Sequence, residues 1–329
     1  MNQKLLSFLK YLLLLAIAFG LLAFAFKGIN VSKVMHEMLQ ANMFWVLLSA
    51  LLSIIAMISR AFRWKLLIES TGHSSSLKNT FFALSIGYFA NLALPRLGEV
   101  TRCGSLSRAE KIPFTNLLGT VIIERIIDVI SLFICILLAA IIEYKRLGSF
   151  LQDNIIQPII NKLEHPVFIV AGILLLAALI AFIVWYVKKI KQKGKDSKWF
   201  QLIKELVNGL RSIAKLKRPW LFIFHSVFIW VLYFLATYVC FFALPATDHL
   251  ELGAALFLLV AAGIAMSAPV QGGIGAYHLL VSQGLVLYGL SQQDGLAFAT
   301  LLHTLSLAIF VFFGMASILL WVSGKKQKN

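Results

Sequence analysis

The sequence predicts an all-α polytopic membrane protein of about six full transmembrane helices plus two broken re-entrant hairpins in an inverted repeat. Three observations carry that prediction. Of 329 residues, 60% are hydrophobic and 13% charged, with a mean hydropathy of +0.87, which excludes an ordinary soluble globule. Six apolar stretches supply the roughly 20 helical residues that a bilayer core requires. Two further apolar stretches are short, and each runs into a Pro-x-x-Gly break.

Taken in order, the first span (11–26) follows Lys4 and Lys10. Its Ala23-Phe24-Ala25 resembles a signal-peptidase site, but no polar mature domain follows, so an uncleaved span is expected. The second span covers 42–59. Residues 79–94 then run into Pro95-Arg96-Leu97-Gly98-Glu99, and the third span covers 116–142. After an external connector (143–165) come spans at 166–187 and 219–244, a short stretch (252–268) running into Pro269-Val270-Gln271-Gly272-Gly273-Ile274-Gly275, and a last span at 296–322. Within 188–218, a lysine-rich run leads into Trp199, Leu202, Ile203, Leu206, Leu210 and Ile213. That spacing predicts a basic amphipathic helix over 198–217, lying on anionic lipid headgroups of the cytoplasmic leaflet.

Charge sets the orientation. Segments 1–10, 60–78, 96–115, 188–218 and 323–329 hold 24 of the 30 Lys and Arg residues, while the opposite loops hold only Lys27, Lys33, Lys145, Arg146 and Lys162. Cytoplasmic loops collect positive charge, so both termini are expected in the cytoplasm, in a cytoplasmic (inner) membrane. The net charge of +16 thus marks a membrane face, and nucleic acid is not an expected partner. Six crossings with that parity require each broken stretch to enter and leave from one side. The single membrane domain, 1–329, then divides into a first repeat (1–142) and an upside-down second repeat (166–322), a recurring transporter architecture.

Several residues demand a reason. Arg96, Glu99 and Arg102 follow Pro95 at i, i+3 and i+6; Pro95 ends the incoming helix, Gly98 permits close approach, and the arginines suit a phosphate. The turn can also be read as cytoplasmic, with ordinary positive-inside arginines. Glu124, Arg125 and Asp128 interrupt an apolar span; in a helix starting near Asn116, Glu124 would lie roughly 12 Å and Asp128 roughly 18 Å along it. Charges there cost about 2.5–3.5 kcal/mol each and should face a cavity or a partner, for which Arg96 and Arg102 are the natural choice. A purely structural ion-pair network is the alternative. Pro269 breaks the second short stretch, and Gly272, Gly273 and Gly275 could expose backbone amides to an anion at the start of the next helix, or serve simply to pack it. His225, His278 and His303 are read first as interhelical hydrogen-bonders, with His278 and His303 the candidate proton relay. Cys103, Cys135 and Cys240 show neither CxxC nor nearby histidine spacing and are read as inert thiols; no metal or cofactor is expected.

Asn91 with LPRLGEVTR (94–102), ERIID (124–128) and APVQGGIG (268–275) together resemble the lysylphosphatidylglycerol synthase transmembrane region, or flippase-like domain, over nearly the whole chain. The resemblance implies that Asn91, Pro95, Arg96, Gly98, Glu99, Arg102, Glu124, Arg125, Asp128, Pro269, Gly272, Gly273 and Gly275 are the family positions. It also implies translocation of a phospholipid or lipid-linked headgroup. In the bifunctional members a separate soluble domain attaches the amino acid. No such domain follows the last span here, so aminoacyl transfer is not expected from this chain, and a separate synthase or a second copy is the expected protein partner. A membrane-embedded transferase on phospholipid or polyprenyl-phosphate and an ion-coupled small-solute transporter are the competing readings.

Overall fold

Backbone in hydrocarbon must satisfy its own hydrogen bonds, so apolar stretches of this length fold as helices. The structure, a computed structural model, describes residues 3–152 and 216–326. Among these the elements are α1 (Gln3–Ala25), α2 (Val31–Leu39), α3 (Met43–Ser70), α4 (Leu77–Ala93), α5 (Leu97–Glu110), α6 (Phe114–Ile142), α7 (Tyr144–Leu151), α8 (Pro219–Phe241), α9 (Leu252–Ser267), a 3-10 turn (Gln271–Gly273), α10 (Ala276–Val286) and α11 (Gln292–Lys326). Four helices, α3, α6, α8 and the Gln292–Trp321 part of α11, are long and apolar enough to cross a membrane. Shorter apolar helices occur at Leu15–Ala25 and in α9. The protein is a polytopic all-α membrane protein.

The expected span at 166–187 and most of the connector and of the amphipathic helix at 198–217 lie outside the described residues. Helix α7 belongs to a second compact unit, 143–214; within it Arg146 Nη1 pairs with Glu143 Oε2 at 3.1 Å.

One boundary needs correction. Residues 60–78 are expected to form a loop, yet α3 continues to Ser70 and buries Arg60 and Arg63. Its buried face carries on through Met57, Arg60, Trp64 and Leu67 at helical spacing. Helix α3 packs antiparallel to α8. The Ala243 carbonyl accepts from Asn42 N at 2.8 Å, the Ala236 carbonyl accepts from Ser49 Oγ at 2.9 Å, and Ser59 Oγ is hydrogen-bonded to His225 Nδ1 at 2.8 Å.

The two broken stretches both fold as helical hairpins. In the first, Pro95 closes the tip, and Arg96 takes a left-handed conformation (φ 66°) at the start of α5. The Asn91 side chain caps that helix by accepting from Gly98 N at 2.7 Å. Gly87 and Gly98 form the crossing: a Cβ on Gly87 would lie 2.8 Å from the Gly98 carbonyl. Gly87 is therefore a packing position, as is Gly263, where a Cβ would lie 2.9 Å from Leu132. In the second hairpin the chain turns through Gly272 (φ 57°), Gly273 (φ 79°) and Gly275 (φ 80°). Gly275 lies flat on α1, where a Cβ would meet the Ala18 carbonyl at 2.5 Å. The hairpin tips meet, with Leu92 of the first against Gly272 of the second.

The open end of the first hairpin is tied by Glu110 Oε1. It accepts from Ser76 N and Ser76 Oγ, each at 2.9 Å, and from Asn79 Nδ2 at 2.8 Å. Partial burial alone would raise this carboxyl's pKa, but the three hydrogen bonds favour the ionised form and hold it below the usual carboxylate range. A folded-state pKa below the unfolded one gives stability that is present above the unfolded value and lost as pH falls through the folded one. Thermal unfolding in detergent is therefore expected to show a small loss below about pH 4.3 that Glu110→Gln abolishes; an unchanged acid limb in that variant would exclude the contribution.

Candidate functional site: a buried arginine–carboxylate cluster beside a cavity

Four helices bring the cluster together. Helix α6 contributes Glu124, Arg125 and Asp128; α3 contributes Arg60 and Arg63; α5 contributes Glu99 and Arg102. Glu124, at 0% exposure, lies at the centre: its Oε1 accepts from Arg60 Nη2 at 2.7 Å and Arg63 Nη2 at 3.4 Å, and its Oε2 faces Arg102 Nη2 at 3.0 Å. Asp128 takes Arg63 at 2.6 Å and Arg60 at 2.9 Å on separate oxygens, with Arg125 Nη1 at 3.9 Å. Arg125 Nε donates to Glu99 Oε1 at 2.8 Å. Helix α4 adds Tyr88, whose ring lies 5.9 Å from the Arg60 guanidinium, and Arg102 lies 4.7 Å over the Trp64 ring.

Charge arithmetic gives the cluster its character. Four arginines face three carboxylates, a net charge of +1. Arg60 Nε, Arg63 Nε and Nη1, and Arg102 Nε are buried donors with no acceptor among the described residues. Buried charge of this kind persists only when paired, and the surplus favours an anion.

Arg60, Arg125 and Asp128 also line a cavity of about 400 Å³. Asn91 and Leu92 of the first hairpin, and Gly272 of the second, line it as well, together with Tyr233, Tyr277 and His303. His303 Nε2 donates to the Gly272 carbonyl at 2.8 Å, which fixes its tautomer and ties α11 to the break. Tyr277 stacks on His303 at 4.6 Å, and His278 meets its edge at 4.9 Å. The two histidines of the expected relay are therefore in contact.

The expected site divides. Glu99, Arg102, Glu124, Arg125 and Asp128 meet in the cluster. Asn91, Gly272 and His303 reach the cavity, although the Asn91 oxygen is used for capping. Arg96 does not join: its left-handed turn conformation puts it outside the α5 face that carries Glu99 and Arg102, and it is exposed with no hydrogen-bond or ion-pair partner among the described residues. Gly273 packs against Met266 and His303, and Gly275 against α1, so neither is among the cavity-lining residues. The expectation that Arg96 pairs with Glu124 is thus corrected. Arg60 and Arg63 hold that carboxylate with Arg102, and the sequence signal that could have found them is their place on the buried period of α3.

A helical bundle with four membrane-length apolar helices and a charged cavity between two hairpins defines a polytopic membrane protein. The model of the family described as "Lysylphosphatidylglycerol synthase TM region" matches residues 11–314, and the chain belongs to that family. It is similar to UPF0104 membrane protein MJ1595 of Methanocaldococcus jannaschii, with 27% identity over 246 residues covering 69% of this chain and 72% of that protein. No solved structure matches.

Proposed function

We propose that the protein translocates a phospholipid or lipid-linked headgroup across the cytoplasmic membrane. The observation that carries this reading is the cavity between the two hairpin tips, because one wall presents Arg60 and Arg125 from a cluster with surplus positive charge. A phosphate held by guanidinium forks would balance that charge, while the apolar remainder of the wall suits the glycerol and upper acyl region. The oxygens of Glu124 and Asp128 are already engaged by two or more arginines each, which favours moving a lipid over altering it. The inverted repeat is part of the proposal. Helices α3 and α8, the second spans of the two halves, run antiparallel, and the hairpins that follow them meet tip to tip. Rocking one half against the other would expose the headgroup to each leaflet in turn. Both termini are cytoplasmic in this scheme.

The test is transbilayer movement of headgroup-labelled phospholipid in proteoliposomes. Wild-type protein is expected to accelerate it. Ala262→Trp, which fills the cavity without touching a charge, is expected to return the rate to that of protein-free vesicles. No acceleration by folded wild-type protein, with any of an anionic, a zwitterionic or an aminoacylated phospholipid, or an unaltered rate in the filled variant, would overturn the proposal.

A further inference from the structure

We infer that the cavity opens sideways to the bilayer between α6 and the second hairpin, and that an anionic phospholipid reaches it there, with its phosphate taking Arg125 from Glu99. The inference rests on the lipid reading above and adds the route and the first contact.

Exposure locates the opening. Among the described residues lining the cavity, those exposed are Arg125, Val129, Met266 and Ser267. Two are one turn apart on α6, and two form the end of α9. Exposed wall residues gathered on one edge mean that the cavity breaks the surface at that edge. The rim is lipid-facing in character: Val129 (65% exposed) continues an apolar stripe from Ile122 to Phe133 on α6, and Met266 is 42% exposed beside Ile264 on α9. A mouth for a soluble anion would instead be polar. Each rim residue lies well along its own helix: Arg125 is roughly 17 Å from the start of α6 and Met266 roughly 21 Å from the start of α9. Both distances fall inside a hydrocarbon core of about 30 Å, where tails can remain in the membrane while the polar neck of a lipid enters.

The chemistry of the rim selects the ligand. An arginine within an exposed apolar stripe at that depth is costly unless it has work to do. Arg125 is also the loosest guanidinium of the cluster. Its side chain is 44% exposed and holds Glu99, itself 28% exposed, whereas Arg60, Arg63 and Arg102 are nearly buried around Glu124. A phosphate offers the same bidentate geometry as a carboxylate. A phosphodiester carries one negative charge, as Glu99 does, so it can take the place of Glu99 on Arg125 without a charge penalty. Because Glu99 belongs to the first hairpin and Arg125 to α6, the exchange also unfastens one hairpin contact as the lipid arrives.

The experiment uses the full chain in liposomes containing a phosphatidylglycerol with a photoactivatable group high on its acyl chain. Cross-links are expected to concentrate on peptides containing Val129 and Met266, and to fall when either Val129→Trp or Met266→Trp plugs the rim. Binding of phosphatidylglycerol should weaken about tenfold in Arg125→Ala, the loss of one charge-assisted contact. It should strengthen in Glu99→Gln, which removes the competitor. A merely structural ion pair would make both variants weaker, and that result overturns the exchange; cross-links spread evenly around the bundle overturn the opening. The two readings fail separately. Headgroup movement that persists in both plugged variants removes the side opening and leaves transport intact, whereas rim-specific cross-links in a protein that moves no headgroup keep the opening and remove transport.

Discussion

Glu124→Gln is expected to destabilise the fold by about 3–5 kcal/mol, because it leaves the three arginines around that position short of a buried counter-charge. Those arginines, Arg60, Arg63 and Arg102, converge on Glu124 from two other helices within 3.4 Å. Neutralising it raises the net charge of the cluster from +1 to +2 in an environment where each uncompensated charge is expensive. Thermal unfolding of purified protein in detergent reads the effect, together with the amount recovered from membranes. Adding Arg102→Gln restores the net charge to +1 and is expected to recover part of the loss. A double variant less stable than the single one would mean that the shape of the cluster, not its charge balance, holds these helices together.

Gly98→Ala is the second large effect. The new methyl group would press on the Gly87 carbonyl and lie 2.7 Å from the Asn91 side chain. A backbone carbonyl cannot swing aside as a side chain does, so α4 and α5 must separate. Overpacking of this kind costs about 1–3 kcal/mol, and here it also strains the Asn91 cap that starts α5. Gly104→Ala supplies the control on the same helix. Nothing lies within 4 Å of its added Cβ, and replacing glycine inside a helix is expected to stabilise by up to about 1 kcal/mol. Equal unfolding temperatures for the two variants would show that the Gly87–Gly98 crossing does not control the hairpin.

The local features of this protein were readable because they depend on neighbours in the chain. Apolar runs long enough to span a membrane declared themselves, since helix formation in hydrocarbon depends on local composition and length. The hairpin tips were equally legible, because proline and glycine act on the backbone where they stand. Glu124 and Asp128 stood out as buried charges that needed partners. Their partners did not follow from the sequence in the same way. Arg60 and Arg63 follow an apolar run, and charge counting assigns them to a loop, but α3 continues and carries them inward. Arg96 occupies an attractive position in the motif, but the turn takes it out of the helix and away from the cluster.

The sequence by itself thus determined that the chain is a membrane-embedded set of helices with two broken hairpins and buried charge in need of compensation. Only the tertiary structure decided which arginines compensate it, that the hairpin tips meet at Leu92 and Gly272, and that a cavity lies beside them. The physical reason is distance along the chain. Apolar length and backbone breaks are encoded within a few turns of helix, whereas an ion pair between Arg60 and Glu124 depends on which faces of two separately encoded helices come to lie against each other.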